Sequence, residues 1–115
     1  MLKKITVAAT VLAALSLPDA ARARRLVHTY ATSYCLHGTM ADGSYTRRRS
    51  IASNFLPMGT KIRLVGRSFF GMRRFVVRDT GSALYDGHVD IWSDSCSRSI
   101  RWGRRSIAFH YGWRR

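Results

Sequence analysis

The chain has 115 residues, with 20 Lys+Arg against 6 Asp+Glu and a formal charge of +14. That length fits one domain, and 46% hydrophobic with 23% charged residues fits a folded chain better than a disordered one. The size excludes a large cofactor enzyme, and the few Asp, His and Cys residues exclude a multi-metal site.

Residues Met1 to Ala23 read as a secretory signal peptide. Lys3 and Lys4 form a basic start, Ile5 to Leu17 is an apolar run, Pro18 breaks it, and Ala21-Arg22-Ala23 offers a small-x-small cleavage pattern. The run is shorter than the roughly 18–20 residues that span a bilayer, so no stable membrane span is expected. Cleavage after Ala23 removes Lys3, Lys4, Arg22 and Asp19, leaving residues 24–115 as one domain with a formal charge of +12. The expected location is therefore secreted or within the cell envelope, in the wall or periplasm. Cys35 and Cys96, an even pair in an exported chain, predict one disulfide contributing roughly 2–4 kcal/mol. Their spacing, without paired histidines, makes a poor zinc site; no metal or cofactor is expected.

In chain order, Leu26–Tyr34 is rich in β-branched and aromatic residues and predicts a strand. Gly38 to Ser50 is polar and basic and reads as a surface loop. Thr60–Val65 alternates, with Ile62 and Leu64 on one face and Lys61 and Arg63 on the other. Met72–Arg78 follows as a strand after a Gly66–Gly71 connection, and His88–Trp92 as a short one after Asp86-Gly87. Asp94–Trp102 predicts the one helix, capped by Ser93 or Asp94, with Cys96 and Ile100 on one face and Gly103 at its end. Arg104–Tyr111 is the last strand. The fold class is all-β: six or so short strands and one small helix suit a closed barrel, which removes exposed edges.

The chemistry concentrates between Arg78 and Trp92. Asp79, Asp86 and Asp90 fall within 12 residues, bounded by glycine turns. Asp90 stands inside an apolar strand, Val89-Asp90-Ile91, where a buried carboxyl needs a partner. Facing a groove, it would have a raised pKa and suit a general acid. The structural alternative has Asp79 and Asp86 capping turns and Asp90 pairing with an arginine. His88 is a candidate second acid/base, on the face of Asp90 when no bulge intervenes. Tyr34 and Tyr85 are candidate sugar-stacking rings, while Trp92 and Trp102 are expected in the core and Trp113 remains a further aromatic. The arginine clusters at 47–49, 73–74, 104–105 and 114–115 read as solvated faces or as a surface for polyanions. No nucleic-acid-binding motif accompanies them.

The block Asp79-Thr-Gly-Ser-Ala-Leu-Tyr-Asp-Gly-His-Val-Asp90 resembles the D-x-G-G-A-I-K-G-x-x-x-D signature of the 3D (Asp-Asp-Asp) domain. That domain occurs in membrane-bound lytic transglycosylase A and is related to rare lipoprotein A, expansins and family-45 endoglucanases. Further along the chain, Ala31-Thr-Ser-Tyr34 is similar to its A-T-x-Y strand and Gly38-Thr-Met-Ala-Asp-Gly43 to its G-x-T-A-x-G loop. Ile51-Ala52 with Phe55-Leu-Pro-Met-Gly-Thr60 resembles V-A-x-x-x-x-I-P-L-G-T, and Asp90-Ile-Trp92, Cys96 and Trp102-Gly-Arg-Arg105 resemble a D-I-W…C…W-G-R-R ending.

The resemblance implies a six-stranded double-psi β-barrel with a glycan groove. It implies a lytic transglycosylase-like exported protein that cleaves peptidoglycan strands, with Asp90 as acid/base and Asp79 stabilising charge or orienting the sugar. Tyr34, Thr80, Gly81, Tyr85 and His88 are the implied substrate-binding residues. The chain departs from the family pattern at Ala52, where the third aspartate would stand, at Ser82 in place of the second glycine and at Tyr85 in place of the lysine. Ser53 and Asn54 occupy the place where rare lipoprotein A has a histidine. The alternative function is a non-catalytic module binding peptidoglycan or another anionic wall polymer. A monomer is expected, and nucleic acid is not an expected partner.

Overall fold

Period-two alternation shapes the strands. In Lys61–Val65 every apolar residue but the last is buried and every neighbour exposed, so Ile62 and Leu64 face one way and Lys61 and Arg63 the other. The computed structural model describes residues 25–84 and 86–112. The expected signal segment 1–23, Tyr85 and Trp113 lie outside the described residues. Among the described residues there are six strands, β1 (Arg25–Tyr34), β2 (Ser50–Ala52), β3 (Lys61–Val65), β4 (Arg74–Asp79), β5 (Val89–Trp92) and β6 (Arg105–Gly112). They also include a 3₁₀ turn at Ser82–Leu84 and a helix, α1, at Cys96–Trp102.

The strands close into a barrel in the order β1-β5-β2-β4-β3-β6. Two pairings, β1 with β5 and β2 with β4, are parallel; the other four are antiparallel. Closure leaves no free edge. The interior is filled by Ile51, Leu64, Phe69, Phe75, Val77, Val89, Ile91 and Phe109, each with 2% exposure or less. Trp92 and Trp102, both 3% exposed, are core residues as expected.

The predicted strands are all present, within two residues at each end. β2 is the addition: Ser50 reads as the end of a loop in sequence but opens a fully buried strand. The helix starts two residues later than expected, because its cap is Ser95, whose hydroxyl accepts the Arg98 N–H (3.3 Å). Ser93 is engaged elsewhere: its N–H donates to the Tyr34 carbonyl (2.8 Å) and its hydroxyl accepts from the Ser95 N–H (3.1 Å). The face shared by Cys96 and Ile100 points outward, with Ile100 80% exposed. The packed face carries Ser99, bonded to the Ser33 hydroxyl (2.8 Å), and Trp102, whose indole N–H donates to the Ala31 carbonyl (3.0 Å). Gly103 ends the helix at φ 62°.

A disulfide joins Cys35, just after β1, to Cys96 at the start of α1. Among the described residues no helix is long and apolar enough to cross a membrane.

Candidate functional site

The register of four strands builds one row of side chains. Thr32 on β1 lies opposite Asp90 on β5, Asp90 opposite Ala52 on β2, and Ala52 beside Asp79 on β4. Directly paired residues share a sheet face, so the two carboxylates flank a single methyl group. With strands about 4.8 Å apart, their backbones stand roughly 10 Å from each other. A bulge between Ile51 and Ala52 shifts the β2–β4 register and brings Ala52 level with Asp79.

The two carboxylates differ in surroundings. Asp79 accepts three hydrogen bonds: from the backbone N–H of Ala41 (3.0 Å) and Thr80 (2.9 Å) on Oδ1, and from the Tyr34 hydroxyl (3.2 Å) on Oδ2. Asp90 accepts one, from the Thr32 hydroxyl (2.9 Å). Its neighbours in β5, Val89 and Ile91, are buried. Desolvation therefore pushes the Asp90 pKa above the ordinary aspartate value; the Thr32 hydrogen bond and the charge of His88 oppose this, and the charge of Asp79 adds to it. Among the described residues Asp90 pairs with no arginine.

Tyr34 bridges the site from β1. Its phenol is held well above the usual range, first by burial and then by the charge of Asp79, so it remains a neutral hydrogen-bond donor.

His88 stands immediately before β5, whose register with β1 runs from Ala31–Val89 to Tyr34–Trp92. One step before it, the rings of Tyr30 and His88 stack at 4.6 Å and 10°. Asp86 accepts from the Tyr30 hydroxyl and meets Nδ1 of His88. These two hydrogen bonds hold its carboxyl well below the usual carboxylate range. The Arg104 guanidinium covers the other face of Tyr30, 3.6 Å from the ring centre.

Two expected sugar contacts are engaged by the protein itself. Thr80 is exposed and gives its N–H to Asp79. Gly81 is clamped by the Asn54 side chain, which accepts the Gly81 N–H (3.1 Å) and donates to its carbonyl. Tyr85 lies outside the described residues. Among the described residues, no group of three His, Cys, Asp or Glu side chains is arranged to hold a metal ion.

Sequence reasoning missed the donors contributed by the 38–50 loop. The loop turns back at Gly43 (φ 90°) and binds β4 through the Asp42 N–H and the Arg78 carbonyl (3.0 Å), which sets the Ala41 N–H against Asp79. The G-T-M-A-D-G run marked the turn, but a backbone donor has no residue type to betray it.

Comparison with known proteins found no matching family model and no matching curated protein.

Proposed function

We propose that the protein is an exported double-psi barrel of the 3D type that cleaves peptidoglycan glycan strands in the manner of a lytic transglycosylase. The observation that carries this reading is the contrast within one row: a desolvated Asp90 with a raised pKa and a donor-rich Asp79 across Ala52. A carboxyl whose pKa is pushed up by burial suits a general acid better than an ordinary aspartate does. Asp90 gives its proton to the glycosidic oxygen as the bond from muramyl C1 breaks, and the departing sugar leaves as an alcohol. The Asp90 carboxylate then takes the proton of the muramyl 6-hydroxyl as that oxygen bonds to C1. A 1,6-anhydro ring forms, no water is consumed, and Asp90 ends protonated as it began. Asp79, with its negative charge in the same row, stabilises the positive charge that develops at C1. The signal-like segment and the disulfide support an envelope location.

A second reading rests on Ala52. With a methyl where the family pattern has a carboxylate, the same groove suits a module that holds glycan without cutting it.

The deciding experiment incubates the disulfide-bonded protein and Asp90→Asn with purified peptidoglycan, reading soluble products by mass spectrometry. Anhydro-muropeptides released only by the unmutated protein support the proposal. Products heavier by one water overturn it in favour of a hydrolase. Co-sedimentation with the wall and no release overturns it in favour of the binding module.

A further inference from the structure

In the ring of six strands, β3 stands opposite β5, which carries Asp90. A cavity of about 670 Å³ opens over β3 and its neighbours β4 and β6, walled on one side by the 47–49 loop. Six arginines, Lys61 and His110 line it, and no acidic side chain does. The register sets Arg63 face to face with Arg74, like charge against like, on one side and opposite His110 on the other. Cross-strand pairs of this kind oppose folding, so the arrangement is a liability that a bound anion would relieve.

Two further details concern residues that line this cavity. Nε of Arg78 is buried with no hydrogen-bond partner among the described residues, and its NH1 reaches only to 4.0 Å from Asp42. A buried donor left without an acceptor is destabilising, and a negative charge near the Arg78 guanidinium would offset part of that cost. Arg49 holds the left-handed region at φ 67°, uncommon for a residue with a side chain. Its guanidinium donates to the Arg74 carbonyl (3.3 Å) and its own carbonyl accepts the Val76 N–H (2.9 Å), which pins the basic loop against β4.

We propose that this cavity is an anion site for a flexible phosphodiester polymer of the polyol-phosphate kind. A tetrahedral phosphodiester is ionised at every physiological pH and offers oxygens in several directions. Guanidinium groups arriving from a loop and from two strands can therefore share one phosphate, whereas a planar carboxylate suits a single fork. A nucleic acid is disfavoured because single-strand binding relies on exposed aromatic faces for base stacking. Here Phe75 is 1% exposed and Tyr111 is half-buried. The site is separate from the carboxylate row and does not depend on the glycan reading.

The test is fluorescence anisotropy with a labelled poly(glycerol phosphate) oligomer, titrated at several salt concentrations. Arg63→Ser/Arg74→Ser is compared with Arg98→Ser/Arg101→Ser, which removes the same charge from α1. The cavity variant is expected to bind at least about tenfold more weakly, with a salt slope smaller by about two, while the helix variant stays within about threefold. Both cavity positions are exposed and mutually repulsive, so a thermal melt should show the variant as stable as the parent. Equal weakening in both double variants overturns the proposal, since net charge alone would then explain binding. Tighter binding of a single-stranded oligonucleotide, or equal binding of polygalacturonate, also overturns it.

Discussion

Asp79 and Asp90 occupy one cross-strand row with only the methyl of Ala52 between them. Their separation in sequence hides this, because β2 has to enter between β4 and β5 to set them level. The consequences can be tested one by one.

Replacing Asp90 by Asn should abolish lysis, a loss of about 10²–10⁴-fold, and should raise the melting temperature at pH 7. The sign follows from the raised pKa. The folded state holds the Asp90 proton more tightly than the unfolded state, so stability falls as pH rises above the ordinary aspartate range. Melting curves from pH 3 to pH 8 should show the gain of Asp90→Asn vanishing at the acid end. On the catalytic reading, lysis by the parent should persist to a higher pH than an ordinary aspartic acid would allow.

Tyr34→Phe removes a neutral donor from Asp79 and leaves the ring in place. A loss of about 1 kcal/mol in stability is expected, with roughly tenfold slower release of muropeptides if Asp79 has to be oriented. Urea unfolding and the peptidoglycan assay check the two effects separately.

Ala52→Asp would set a third carboxylate in the row, at a position 4% exposed. It should destabilise the barrel by about 2 kcal/mol and raise the Asp90 pKa further through like-charge repulsion. On the catalytic reading, lysis should increase and its alkaline limb should move upward. An unchanged pH profile would place the new side chain outside the row.

Cys35→Ser/Cys96→Ser opens a covalent loop with a sequence separation of 61. The expected loss is about 3–4 kcal/mol, large for a domain of this size. Denaturant midpoints of the oxidised protein and the double variant give the difference directly.

Much of the barrel was legible because alternation is local: Lys61–Val65 announces its inward face without help. So was the placement of Asp90, since a lone acid between Val89 and Ile91 in an apolar strand stands out. β2 was not legible as a strand. Three residues are too few to show a period, and all three are buried because strands flank them on both sides. The arginine clusters misled by their adjacency. Arg73 lies just before β4, and of the two only Arg74 lines the cavity. Arg104 covers Tyr30, while Arg105 covers Trp102 and bonds its carbonyl (3.0 Å). Arg78 belongs to no cluster and is the least exposed of the cavity arginines. Its role depends on strand register, a non-local property that no window along the sequence contains.

The parallel pairing of β1 with β5 and its antiparallel pairing with β6 bear on how the chain comes into being. The first strand made must wait for the last two, so no N-terminal fragment has a partner with which to close. Such long-range closure slows folding and keeps a nascent chain extended until almost all of it has been synthesised. Once the last strands have arrived, the Cys35–Cys96 bond ties the end of the first strand to the start of the helix and holds the late closure in place.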